Sequence, residues 1–231
     1  MNIFLYSQIN NIQHNNFFLN NKQAEKVFNQ LSENGKKIEN FRLDFRQEIQ
    51  NFEDALYEND SLTEKSKEKD DIFDKGEIFF RNPNNFKVSY NKDDIIYLFD
   101  GLNLKIFEKA KNQLLIININ NNNSTPENFF GDEVIDFFKF EYTLLDKYEI
   151  TSFWEDKNLE TFNFIFKDKK TNYKVILTID NKNFYPKKII WDKEYSKFII
   201  TIKNLNLNFN IEDSEFEIEN IIKKDTKIFE I

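Results

Sequence analysis

Cysteine is absent from the 231 residues, which removes disulfides, a thiol nucleophile, thiolate-bound zinc and any cysteine that could accept a thioether-linked lipid. Histidine occurs once, at His14, inside an Asn- and Gln-rich stretch with no periodicity. Four glycines and three prolines are few for a turn-rich protein, and none of the glycines forms a phosphate-cradling loop. Asn and Asp must therefore fill many turn positions, since both tolerate left-handed backbone and cap their own turns. No apolar run approaches the roughly 18 residues that cross a bilayer as a helix. The opening Met1-Asn2-Ile3-Phe4-Leu5-Tyr6 is also too short for the apolar core of a secretory signal. From the sequence, either a leader has been removed or the chain is cytoplasmic.

Basic residues are outnumbered, 32 against 40 acidic ones, so the net charge is −8. With no dense basic cluster, a nucleic-acid partner is not expected. The adjacent acidic pairs Asp70-Asp71, Asp93-Asp94 and Glu212-Asp213 would point to opposite faces of a strand and read as solvated turns. No Ser-His-Asp set or metal-ligand cluster is present, so no catalytic residue, metal or cofactor is expected. The pattern is that of a binder rather than an enzyme.

What the chain has in quantity is phenylalanine, 27 residues in all. Phe, Ile, Lys and Asn are enriched together, as an AT-rich coding sequence would produce, so the placement of the Phe residues matters more than their number. Residues 1–20 read as a flexible arm. Ala24, Val27, Phe28 and Leu31 then fall at helical spacing, and Asn34-Gly35 supplies a stop, so the spacing predicts an amphipathic helix over 21–34. Phe41, Leu43 and Phe45 alternate with polar neighbours as a half-buried strand does. An acidic insert at 53–74 follows, read either as a solvated loop or as a docking arm for a basic partner.

From Gly76 the pattern is a succession of strands. Ile78 and Phe80, then Phe86, Val88 and Tyr90, then Leu104 and Ile106 each recur with period two, and Asp100-Gly101 is a hairpin signal. Thr125-Pro126-Glu127 suits a helix start, and the Phe-rich stretch 127–146 predicts one or two short helices. Strands resume after Tyr148, with Phe162, Phe164 and Phe166 on one parity and Val175, Leu177 and Ile179 on another, through to Ile211. The expected architecture is a single domain over 21–231. It is mainly β with some helix (α+β): an antiparallel meander, apolar on one face and wet on the other, with two helical covers. The helices would leave either a packed core or an apolar cavity.

These residues resemble a known family. Phe41-xxx-Phe45-x-Gln47, then Gly76-Glu-Ile-Phe-Phe-Arg-Asn-Pro83-Asn-Asn-Phe86-Lys-Val-Ser-Tyr90, then Asp100-Gly101, Gln113 and Thr125-Pro126 are similar in order and spacing to the motifs of LolA-type lipoprotein carriers, over roughly 41–220. The resemblance implies an incomplete antiparallel barrel of about eleven strands with a helical lid, and a non-enzymatic role in the periplasm. It implies triacylated lipoproteins as cargo, an inner-membrane lipoprotein-releasing ABC transporter complex as donor, an outer-membrane acceptor where one exists, and a monomeric state. Phe45, Ile78, Phe80, Val88, Tyr90, Leu104 and Ile106 are then expected to line a cavity, faced by Phe129, Phe130 and Ile135 from the lid. Arg81, Pro83 and Phe86 are the expected docking positions.

Two departures stand out. The family's Arg before the turn proline, which ties lid to barrel, is here Asn82, with Arg81 one residue earlier. A one-residue shift along a strand reverses the face. The acidic insert is the second departure. Two other readings use the same residues: a lipid- or lipoprotein-sensing regulator of this fold, and a non-lipid interaction protein built on the acidic insert.

Overall fold

The computed structural model describes residues 21–51, 72–92, 94–118, 131–140, 144–171, 173–193 and 196–231. The expected arm with His14, the insert up to residue 71, Thr125-Pro126, Phe129 and Phe130 lie outside the described residues. Among the described residues twelve strands form one sheet, in the order β12 (Lys227–Glu230), β6 (Gln113–Asn118), β5 (Asn103–Glu108), β4 (Ile95–Asp100), β3 (Asn85–Tyr90), β2 (Ile72–Arg81), β1 (Asn40–Asn51), β11 (Ser196–Leu207), β10 (Pro186–Asp192), β9 (Lys174–Asp180), β8 (Thr161–Asp168) and β7 (Tyr148–Asp156), whose end strands are not paired with each other. This is the mainly β, open arrangement that the resemblance implies, with twelve strands instead of about eleven. The chain divides into two compact units, and the long strands β1 (Asn40–Asn51) and β11 (Ser196–Leu207) contribute residues to both.

The first unit holds helix α1 (Lys22–Gly35) up to Asn34, the short helix α3 (Leu144–Lys147) and strands β7 (Tyr148–Asp156), β8 (Thr161–Asp168), β9 (Lys174–Asp180) and β10 (Pro186–Asp192). Helix α1 starts where Asn21 Oδ1 accepts the Ala24 N–H at 3.0 Å, a side-chain cap on a donor that the first turn cannot satisfy itself. Its apolar stripe of Ala24, Val27, Phe28 and Leu31 is buried. Phe28 sits 4.7 Å from Phe140 and 6.5 Å from Phe164, and Phe140 reaches Phe166 at 6.1 Å, all tilted or edge-on as ring quadrupoles prefer. Helix α1 and the sheet thus share an aromatic core.

The second unit holds β1 from Asn40 to Arg46, β2 (Ile72–Arg81) from Asp74, β3 (Asn85–Tyr90), β4 (Ile95–Asp100), β5 (Asn103–Glu108), β6 (Gln113–Asn118), helix α2 (Gly131–Lys139) and the chain from Ile202 onward. Strand β2 thus begins within the stretch read as the acidic insert. Asn82 N–H donates to Glu39 C=O at 2.8 Å and Asn208 N–H to Asn40 C=O at 2.9 Å, so the start of β1 lies beside the ends of both its neighbours. At the Asp100-Gly101 hairpin, Asp100 Oδ1 accepts the N–H groups of Leu102 (3.1 Å) and Asn103 (2.8 Å), and Gly101 takes φ +91°, which an L side chain would resist. The last residues form β12 (Lys227–Glu230), paired with β6 in parallel, so the tail is a terminal strand.

The expectation of one wet face fails in this unit. On the inner face, the one carrying Phe80, Phe41 stacks on Phe80 at 5.2 Å and on Phe138 of α2 at 4.9 Å. On the opposite, outer face, Ile96, Phe107 and Leu114 are also buried, under Ile218, with Ile116, Ile221 and Ile222 packed around them. Strands β4 to β6 carry apolar residues at both parities, and the C-terminal segment covers the second set.

A candidate apolar cleft under helix α2

Cross-strand register places the sequence-predicted lining residues on one face. Ile78 pairs with Val88 and Phe80 with Phe86; Phe86 then pairs with Phe99, and Val88 with Tyr97; Phe99 pairs with Leu104, and Tyr97 with Ile106. Directly opposed residues in an antiparallel pair share a face, so Ile78, Phe80, Phe86, Val88, Leu104 and Ile106 all lie on the inner side. Phe45 joins them, its ring 5.5 Å from that of Tyr90, which in turn lies 6.0 Å from Tyr97.

Within this face the structure opens a cleft of about 160 Å³, lined by Phe80, Pro83, Asn84, Phe86, Phe99, Ile135, Asp136 and Lys139. One wall comes from β2 and β3 and the turn between them, where Asn82-Pro83 is cis. A second wall is Phe99 of β4, its ring 5.1 Å from Phe86. The third is α2, through Ile135 and through Lys139, whose ammonium stands 5.2 Å above the Phe80 ring. The floor is apolar, and Asn84, Asp136 and Lys139 supply its polar groups. Beyond the cleft the same face continues through the half-buried Tyr97, Ile106 and Leu115 to Phe229, which is 50 % exposed.

Of the expected lining residues, Phe80 and Ile135 reach the cleft, and so do Pro83 and Phe86 from the expected docking set. Ile78, Val88, Leu104 and Phe45 are buried on the same face outside it, while Tyr90 and Ile106 are half-buried there. Phe86 is 4 % exposed, so its ring is turned into the cleft rather than to solvent. Phe99 was missed: in Ile95-Ile96-Tyr97-Leu98-Phe99 both parities are apolar, so alternation assigns no face, and only the pairing with Phe86 does. Arg81 points the other way. It pairs across the sheet with Asn85 on the outer face, binds the Asp213 carboxylate and lies 4.7 Å over the Phe216 ring. It therefore holds the C-terminal segment.

On the outer face, the Asp100 side chain is half-buried, which alone would raise its pKa. The N–H bonds from Asn103 and Leu102, with the Lys105 ammonium, outweigh that and hold the carboxyl below its ordinary value. A larger open depression of about 390 Å³ along α1 is lined only by that helix's own charged and amide side chains, Lys22, Glu25, Lys26, Asn29, Gln30 and Glu33, and offers no apolar wall. Among the described residues no group of three or more His, Asp or Glu side chains is placed to hold a metal ion.

No protein-family model and no curated protein sequence matches the chain. Solved structures do. An uncharacterized conserved protein from Thermus thermophilus superposes with a TM-score of 0.53 at 8 % identity, covering 90 % of this chain and 99 % of that one. The two share a fold. A putative outer membrane lipoprotein-sorting protein domain from Vibrio parahaemolyticus aligns at a TM-score of 0.45 and 12 % identity, over 86 % of this chain and 99 % of that one. A LolA superfamily protein from Nitrosomonas europaea aligns at 0.43 and 10 %, over 84 % and 97 %.

Proposed function

We propose that this chain binds lipid acyl chains under helix α2 and carries them, as a lipoprotein carrier of the bacterial envelope, from a membrane donor complex to an acceptor. The observation that carries the reading is the cleft of Phe80, Pro83, Phe86, Phe99 and Ile135, an apolar floor with its polar groups confined to Asn84, Asp136 and Lys139. The motif resemblance over 41–220 supports the same reading. Each CH₂ removed from water contributes about 0.8 kcal/mol, so a long acyl chain is held strongly by apolar surface alone. No directional chemistry is needed, and release depends on how readily the walls part.

Size sets the mechanism. A cleft of about 160 Å³ is comparable to an engineered cavity of roughly 150 Å³ that takes up one benzene. It accepts the end of one chain, and a triacylated anchor requires α2 to move away from the sheet. Helix α2 is built for such a wall: Val134, Ile135, Phe137 and Phe138 are buried, while Asp136 is exposed. Its movement would extend the cleft along the apolar row through Tyr97 and Ile106.

The test is native mass spectrometry of the protein incubated with a triacylated lipopeptide, for wild type and for Ile135→Phe, which fills the cleft with an apolar ring. A one-to-one complex with wild type that falls about tenfold in the variant, at unchanged fold, supports the reading, since filling a cavity excludes its ligand. Absence of any complex with wild type would sink it.

A further inference from the structure

We propose that the outer face of β2 to β5 is an interaction surface for acidic peptide segments bearing an aromatic residue, closed in this structure by the chain's own residues 212–222. The surface is basic and apolar together. Across it, Phe79 pairs with Lys87, Lys87 with Leu98 and Leu98 with Lys105; Arg81 stands one pleat away, and Ile96 and Phe107 form the next row. In a chain of net charge −8 this gathers Arg81, Lys87 and Lys105 on one patch, where Lys105 is paired with Asp100 of the same face at 3.4 Å and Arg81 and Lys87 are the cations the covering segment meets. Lys87 and Lys105 are mostly buried, their side chains 13 % and 18 % exposed.

The covering segment has the complementary chemistry. Glu212, Asp213, Glu215, Glu217 and Glu219 are acidic, and no basic residue interrupts them before Lys223. Asp213 binds Arg81, Glu215 Oε2 accepts from Lys87 Nζ at 2.7 Å, Phe216 lies under the Arg81 guanidinium, and Ile218 fills the row between Ile96, Phe107 and Leu114. Its backbone bonds are local: Glu215 N–H to Glu212, Asn220 N–H to Glu217, and Ile221 and Ile222 N–H to Ile218. The segment folds as two 3-10 turns of four and three residues with no side-chain caps. Such short turns have little stability of their own, so between its anchored ends, Asn208 on Asn40 and β12 on β6, the segment is held to the face mainly by side-chain docking. A partner segment offering two carboxylates, an aromatic ring and an aliphatic anchor in the same order would compete for the same contacts. This inference stands apart from acyl binding, which concerns the opposite face.

The experiment uses a labelled peptide of residues 211–222 and the full chain, wild type and an Asp213→Lys/Glu215→Lys double variant, read by fluorescence anisotropy. Loosening the internal segment should expose the face, so the double variant should bind the peptide about tenfold more tightly than wild type, less so at high salt. Equal affinities, or no binding to either protein, would overturn the proposal. Should the double variant fail to fold, hydrogen exchange on the wild-type chain decides. Amides of Ile221 and Ile222 should exchange at least about tenfold faster than those of β4 and faster still with excess peptide. A segment as protected as β4 and indifferent to peptide refutes it.

Discussion

Gly35 lies against the carbonyl of Lys139: a β-carbon on Gly35 would stand 1.6 Å from that oxygen and 2.4 Å from its carbon. The end of α2 is thereby held by backbone contact with the residue at which α1 ends. Because the obstacle is main chain, no side-chain rotation relieves it. Gly35→Ala would gain about 1 kcal/mol of helix propensity in open space. Here the clash reverses the sign, and a net loss of about 1–3 kcal/mol is expected from overpacking. Urea denaturation measures it; a variant as stable as wild type would show that the two segments do not touch in solution.

Phe138 carries the packing of α2 on the inner face. It is 2 % exposed and stacks on Phe41, which stacks on Phe80. Phe138→Ala should cost about 3–5 kcal/mol, as a large ring removed from a core does. Leu102→Ala, at a residue 56 % exposed, should stay within about 0.5 kcal/mol. Thermal melts of the two variants should therefore separate clearly.

Phe79 lies between two cations on the outer face, with Arg42 and Lys87 each 5.4 Å from its ring centre. A double-mutant cycle of Phe79→Leu with Lys87→Met should return a coupling of about 0.5–1 kcal/mol. Strict additivity would mean that Lys87 contributes nothing through the Phe79 ring.

Acid should weaken the fold through two turn carboxylates. Burial would raise Asp180, but the Lys187 ammonium and the N–H groups of Asn183 and Lys182 prevail and lower it; Asp100 is lowered in the same way, its N–H donors and Lys105 outweighing burial. A carboxyl whose folded pKa lies below its unfolded value contributes stability that is complete above the unfolded value, near about 3.9, and is lost as pH falls through the folded one. Unfolding free energy should thus decline below about pH 4, and the decline should be shallower in Asp100→Asn/Asp180→Asn. An identical acid limb in the variant would remove these two residues as its cause.

Much of this was legible in the chain because the relevant interactions are local. The helix expected over 21–34 follows from an apolar stripe at helical spacing and the Asn34-Gly35 stop. Period-two alternation found Phe41, Phe80, Val88 and Leu104 and put them on one face, because a strand's side chains have no third direction. The Asp100-Gly101 hairpin follows from one carboxylate and one positive φ.

Alternation gave no answer where both parities are apolar, as in β4, and so it missed Phe99 and the second core on the outer face. It also could not say that acidic residues 212–219 bind Arg81 and Lys87, because Asp213 and Arg81 are 132 positions apart and no local rule relates them. By itself the sequence determined most strands, the first helix, the turn chemistry and the absence of thiols, each a matter of neighbouring residues. Tertiary structure alone decided that a cleft opens beside α2, that Arg81 serves the C-terminal segment, and that the tail adds a parallel strand. Those outcomes depend on how volumes and charges from distant parts of the chain fit together, and that fit exists only once the chain has folded.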